Sequence, residues 1–451
     1  MSISLSLVLF LLLLPAASII ERMRQTHSMW HYLVGFILSF IFAYGAVGFL
    51  SLAIKATFQM IVLTAGLTIV GSLISYYLVR RASRSFQTGF LSKPLNIILG
   101  LLLPVFLVAL ILVISQFPEM FLLSYISVPG SQLGFFTASA LFAGVWGIAV
   151  LEQFESRGFY QRLRETKLFA FIKENLPSLY AGGFFFLINL IIARALNHPA
   201  LSVNAVLFET DAGPWMVILG SPESDAINRS VHPLVLILAR PLVRFVALFT
   251  GDQWQLAGMI TVAALSGLCV FMAWLFVKRA TQANTYAFIF ATLLGSTTTH
   301  LFFGSLTETY VFGMTSLILF FLLLQLGEKR LSVLLPAGVL VFGITISNLA
   351  QTAIGLFFRK FGFWRVVRFC LYVVSAGIAL TVFTSALYPG KQTFFFVPAH
   401  VAFETNFVRG ASHVPAQSLF GRFQYVARTM LLYGVIGPRP IEDISRKDPA
   451  P

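Results

Sequence analysis

The sequence predicts an all-α polytopic membrane protein with about 11 to 13 transmembrane helices and an external loop that carries an interfacial helix. Three observations carry that expectation. Of 451 residues, 58% are hydrophobic and only 11% are charged, against roughly 25% charged in a soluble domain. Uncharged apolar runs of about 20 residues, long enough to cross a hydrocarbon core about 30 Å thick, recur from end to end. The basic residues fall in short clusters beside those runs, the pattern that marks cytoplasmic ends. The formal charge of +14 is therefore read as topology, and no nucleic-acid partner is expected.

The first apolar run has no basic residue ahead of it and is followed by Arg22 and Arg24, so it reads as an uncleaved span rather than a leader. Spans near 4–20, 30–54, 57–79, 95–116 and 134–151 bring the chain to a basic cytoplasmic loop, 152–173. A span near 175–195 then leads outward. Both cysteines, Cys269 and Cys370, sit inside apolar runs, which argues against a disulfide framework or a cysteine metal site.

Residues 196–233 follow that outward span and hold four acids, Glu209, Asp211, Glu223 and Asp225, against one arginine, Arg229. An acidic bias suits the external face. The next run, "PLVLILARPLVRFVALFT", is a poor span. Crossing there would embed Arg240 and Arg244, one turn apart, and would leave Lys278 and Arg279 outside. It reads instead as a helix lying along the external interface, which extends the loop to residues 196–253.

Spans near 254–277, 284–303 and 311–326 follow, with "GSLTETY" exposed between the last two. Residues 331–358 are basic at both ends and polar in the middle, "ITISNLAQTA". One long span would put Arg359 and Lys360 outside; two short helices meeting near Asn348 keep them inside and are favoured, because Asn or Gln at that depth faces a cavity or a helix partner. A span near 368–388, an external segment near 389–425 with His400, Glu404 and Arg409, and a short run near 425–436 complete the path.

Candidate chemistry gathers at the external face. Asp211, with Glu209 beside it, is followed by the turn signal "GPW"; a carboxylate so placed can act as a general base on a hydroxyl or hold a divalent cation through oxygen. An ordinary solvated loop acid is the other reading. His232 opens the interfacial helix beside Arg240 and Arg244, whose guanidinium groups suit a lipid-linked phosphate, or else reach lipid head groups. Glu308, in "SLTETY", stands among hydroxyls suited to a sugar, with His300 two turns earlier. A plain polar turn is the alternative. Asn228-Arg229-Ser230 is an N-glycosylation triplet. The sequence carries no phosphate-binding glycine loop, paired Cys or His metal spacing, or serine nucleophile elbow.

The order of an outward span, an external loop opening on an acidic pair, a helix introduced by "HPL" and a later "ETY" turn resembles the integral-membrane glycosyltransferases of the C-type fold. Protein mannosyltransferases and the aminoarabinose and lipopolysaccharide sugar transferases belong to that family. The resemblance covers roughly residues 170 to 350. It implies transfer of a sugar from a polyprenyl-phosphate donor to a lipid or glycan acceptor on the external face, with inversion at the anomeric carbon. It places Asp211, with Glu209 as neighbour, as the catalytic base or metal-linked acid. His232, Arg240 and Arg244 then become candidates for the donor phosphate and Glu308 for sugar or acceptor. Membrane lipids are the other expected partners, a divalent cation at Asp211 the one cofactor considered, and a bacterial inner membrane the expected site. The chain divides on this reading into an N-terminal bundle, 1–155, a transferase-like core, 156–358, and C-terminal spans with an external segment, 359–451.

A transporter or lipid flippase is the competing reading, with Asn348 and Gln351 on a path through the membrane. A non-catalytic scaffold is the third. The two active readings differ in where indispensable polar groups lie, at the external interface or near the midplane.

Overall fold

Helix length and polarity decide what each element can do in a bilayer. The computed structural model describes residues 29–51, 54, 56–87, 128–196, 212–222, 229–251, 253–388, 390 and 392–402. Among these the regular structure is helical, with no β-strand. Among the described residues six helices are long and apolar enough to cross a membrane: Met29–Gly48, Thr57–Arg81, Gly130–Ser156, Leu176–Arg194, Trp254–Thr281 and Phe363–Leu387. Three shorter apolar helices, Tyr310–Gln325, Leu331–Ile344 and Asn348–Phe358, accompany them. The chain is an all-α polytopic membrane protein. The spans expected near 4–20, 95–116 and 425–436 lie outside the described residues, as do Glu404 and Arg409.

The chain forms two compact units, Met1–Asn175 with Leu248–Gln253, and Leu176–Ala247 with Trp254–Pro451. In the first, α1 (Met29–Leu50), α2 (Thr57–Gln87) and α3 (Leu133–Ser156) pack along one another. Lipid tails are as apolar as a leucine, so close backbone approach decides which faces meet. A Cβ at Gly35 would lie only 2.8 Å from the Tyr76 nitrogen. Buried hydroxyls tie the same seams, Ser39 Oγ donating to the Thr68 carbonyl at 3.0 Å and Tyr32 Oη to that of Gly144 at 2.5 Å. After α3, Gly158 takes a left-handed φ of 63°, where a side chain is disfavoured. Two short helices follow, α4 (Phe159–Glu165) and α5 (Lys167–Glu174). Thr166 caps α5, its Oγ1 accepting from the Phe169 N–H at 3.2 Å.

The second unit runs α6 (Leu176–Leu196), α7 (Ala212–Gly220), α8 (Val235–Leu238), α9 (Arg240–Ala247), α10 (Trp254–Thr281), α11 (Asn284–Ser296), α12 (Thr298–Phe303), α13 (Tyr310–Gln325), α14 (Leu331–Ile344), α15 (Asn348–Phe358) and α16 (Phe363–Leu387). α6 and α10 meet backbone to backbone, so that a Cβ at Gly182 would lie 2.9 Å from the Gly267 carbonyl oxygen. One end of this unit is basic. Gln325 donates to the Phe276 carbonyl and Arg365 to that of Lys329, joining the end of α10, the loop after α13 and the start of α16. Lys278, Arg279, Lys329 and Arg330 lie on these joined segments, the grouping that the positive-inside pattern requires.

The helix expected after His232 forms two short pieces, α8 and α9. Pro241 lacks the N–H that would carry α8 onward, so a new helix starts there. Val235, Ala239, Val243 and Ala247 are buried in a core with Trp215, Leu219, Val262 and Phe312, while Leu242 and Phe245 stay exposed. The span expected at 284–303 is broken at Thr297, whose Oγ1 caps α12 by accepting from the His300 N–H at 3.2 Å. The polar stretch around Asn348 separates two helices, α14 ending at Ile344 and α15 starting at Asn348.

Candidate functional site

The break between α14 and α15 exposes backbone groups that a continuous helix would have paired, and in lipid an unpaired group is costly. A distant segment pairs them. The Leu234 N–H donates to the Gly343 carbonyl at 2.9 Å, and the Ile346 N–H donates to the Val231 carbonyl at 3.2 Å. Between these two bonds, His232 Nδ1 lies 2.6 Å from the Ile344 carbonyl oxygen. A carbonyl only accepts, so this contact requires the proton on Nδ1 and gives the lone pair of a neutral ring to Nε2. Trp215 meets the imidazole edge to face, centroids 5.2 Å apart at 88°, and fixes its plane.

Glu308 approaches from the turn before α13. It is only 4% exposed and stands next to Thr309, the N-cap, where the helix dipole favours a negative charge. A cleft of about 600 Å³ brings Arg229, His232, Glu308, Thr345 and Asn348 together, with Trp215 on its wall. Ligand sites commonly enclose roughly 300–1,000 Å³. Gly313 keeps it open on the α13 side: a Cβ there would lie 3.3 Å from Asn348 Nδ2. Farther along α13 the wall turns apolar with Met314, Leu317, Ile318 and Phe321.

Phe321 also begins a second groove of about 540 Å³, which continues past Leu324, Ile354 and Phe358 between α13 and α15. Arg359 and Gln325 lie at its basic end. The cleft and the apolar groove thus both border Phe321 on α13. In the cleft a carboxylate, an imidazole and a guanidinium offer proton transfer and anion binding within one space.

Arg240 and Arg244 do not line this cleft. Arg240 is buried and donates to the carbonyls of Ile218 at 2.5 Å and Ser221 at 2.9 Å, while Arg244 donates to that of Gly220 at 3.1 Å. These carbonyls lie at the C-terminal end of α7, so the pair of arginines caps it. The Arg240 guanidinium also lies 5.5 Å over the Tyr388 ring. Burial lowers its pKa from the ordinary arginine value. Both groups are thus engaged by carbonyls at the end of α7, away from the cleft that holds His232 and Glu308.

Glu209 and Asp211 lie outside the described residues. Asp211 immediately precedes Ala212, where α7 begins, and Trp215 on that helix lines the cleft. Among the described residues no group of three or more His, Cys, Asp or Glu side chains is placed to hold a metal ion. His300 turns inward instead of joining Glu308. Its Nε2 lies 2.7 Å from Ser266 Oγ, which accepts from Asn189 Nδ2 at 2.8 Å, and Ser305 donates to Asn189 Oδ1 at 2.9 Å. This buried network joins α6, α10 and α12. Thr309 and Tyr310 of the same turn do line the cleft.

Compared with family models, curated proteins and solved structures, the chain matches none. Its site must be read from its own chemistry. Two cleft residues escaped the sequence reading, Arg229 and Trp215. Arg229 was visible only as the one cation of the acidic segment 196–233 and as the middle of a glycosylation triplet, and Trp215 only as part of a turn signal.

Proposed function

We propose that this membrane protein is a glycosyltransferase that moves a sugar from a polyprenyl-phosphate donor to a lipid or glycan acceptor, at the end of the second unit opposite its basic loops. The observation that carries the reading is that Phe321 lines both the cleft with Arg229, His232 and Glu308 and an apolar groove between α13 and α15. A lipid-linked sugar has the same two halves. Its phosphate suits the Arg229 guanidinium, its hydroxyls suit Glu308 and Asn348, and its hydrocarbon chain suits the wall of α13 and α15. A polyprenyl donor and an envelope acceptor fit a bacterial inner membrane.

In this reading the base takes the proton from an acceptor hydroxyl as its oxygen attacks the anomeric carbon. Polyprenyl phosphate leaves on the opposite side with the bonding electrons, and the configuration inverts. Asp211, with Glu209 as neighbour, holds the base role that the family resemblance implies, and it adjoins the helix that presents Trp215. Arg229 takes the phosphate role, since Arg240 and Arg244 cap α7.

A flippase for a phosphate-linked lipid is the second reading, favoured by Asn348 at the helix break within the same cleft. Sugar transfer from radiolabelled polyprenyl-phosphate sugars by purified protein in lipid separates the two. Transfer by the wild type, lost in folded Asp211→Asn and Glu308→Gln variants, supports the transferase. Absence of transfer from every donor, together with lipid translocation that Asn348→Ala abolishes, replaces it with the flippase.

A further inference from the structure

The first unit holds a cleft that sugar transfer does not use. It encloses about 620 Å³ and is lined by four cations, Arg80, Arg81, Arg164 and Lys173, against one carboxylate, Glu155. Glu155 is engaged by Arg80 at 2.7 Å. The cleft therefore keeps a surplus of positive charge. Its cationic groups are also held in place: Arg164 Nε donates to Tyr77 Oη at 3.0 Å, and its guanidinium lies 5.2 Å over the Tyr77 ring. Tyr77 in turn stacks on Tyr160, centroids 5.5 Å apart at 11°, and meets the edge of Phe169. A rigid aromatic backing limits the ordering cost of binding.

Two features fix the depth of this cleft. The span Thr57–Arg81 ends in it. Beside it, α5 places Leu168, Phe171 and Ile172 at i, i+3 and i+4 on one face, exposed by 67%, 44% and 38%, with Lys167, Lys173 and Glu174 opposite. A short amphipathic helix next to a span belongs at the lipid–water boundary. The positive-inside pattern assigns this end to the cytoplasm.

We propose that this cleft binds the phosphate-bearing headgroup of an anionic phospholipid from the cytoplasmic leaflet. A zwitterionic headgroup brings its own cation against Arg81, Arg164 and Lys173, so the cleft discriminates by charge. Each juxtamembrane cation contributes roughly fivefold in affinity for an anionic surface.

The test uses the full-length purified protein in neutral detergent and counts bound molecules by native mass spectrometry. Short-chain phosphatidylglycerol, short-chain phosphatidylcholine and inorganic phosphate are titrated separately. The double variant Arg81→Gln with Arg164→Gln is compared with Arg157→Gln with Lys167→Gln, which removes the same charge outside the cleft. Phosphatidylglycerol binding weakened roughly 25-fold in the first variant and unchanged in the second supports the site. Equal weakening in both variants, equal binding of phosphatidylcholine, or inorganic phosphate binding as tightly as the lipid overturns it. Should the double variant fail to fold, Arg81→Gln alone gives the readout: a loss of roughly fivefold supports the site and no loss overturns it.

Discussion

His232 Nδ1 lies 2.6 Å from the carbonyl oxygen of Ile344, so one side chain both completes a broken helix and faces the cleft. The two roles come apart by substitution. Asn keeps a donor near the position of Nδ1 but has nothing in place of Nε2. His232→Asn is expected to retain the thermal stability of the wild type while the KM for the polyprenyl-phosphate donor rises, because the cleft loses the Nε2 side of the ring. His232→Ala loses the bond as well and should also be destabilised by roughly 1–3 kcal/mol. Thermal unfolding and transfer assays on the same preparations check both.

Arg240→Met leaves the carbonyls of Ile218 and Ser221 without their donor. Hydrogen bonds to charged groups contribute about 1.5–3 kcal/mol each, so a loss of roughly 2 kcal/mol or more is expected, seen as a lower unfolding temperature. Transfer per folded molecule, and the KM for donor, should not change. A raised KM without destabilisation would return Arg240 to the donor phosphate.

Gly182→Val places a branched side chain where the Gly267 carbonyl oxygen would lie 2.9 Å from its Cβ. Forcing α6 from α10 should cost about 1–3 kcal/mol. Because Asn189 and Ser266 lie on the same two helices, their 2.8 Å bond should weaken too. Unfolding in detergent, followed by fluorescence, measures the cost, with Gly182→Ala expected between wild type and Val.

Arg330 beside Glu328 holds its carboxyl at about 2, down from 4.5, chiefly through their side-chain hydrogen bond. A folded value below the unfolded one means that the contribution is fully present above pH 4.5, fades as pH falls, and is gone below about 2. Glu328 Oε1 accepts from the backbone N–H groups of Lys329 and Arg330. Exchange at those amides, corrected for intrinsic rates, should stay protected at about pH 5 and lose protection toward pH 2. Glu328→Gln should lack that protection throughout.

Composition made the membrane class legible, because few arrangements other than packed helices satisfy so many apolar residues in lipid. The break before Asn348 was legible too, since a single crossing of 331–358 would put Arg359 and Lys360 outside. The caps on α7 were not. Arg240 and Arg244 read as lone cations in an apolar run, and only the fold brings the carbonyls of Ile218, Gly220 and Ser221 within their reach. Glu308 was found by its turn and His232 by its place before a proline, yet nothing local indicates that one cleft holds both. Their meeting depends on pairing between the 229–234 and 343–346 segments, and such contacts leave no periodicity in either stretch.

That pairing also sets an order of events during synthesis. His232 precedes Ile344 by 112 residues, and ribosomes add about 5–20 residues per second, so the strap is made roughly 6 to 22 s before the helix break it pairs with. For that interval Val231 and Leu234 lack their backbone partners from the 343–346 segment, and water at the membrane surface must supply them. The hairpin of α14 and α15 meets its partner as soon as it emerges. A translational pause between the two segments lengthens the exposure of the first and not of the second.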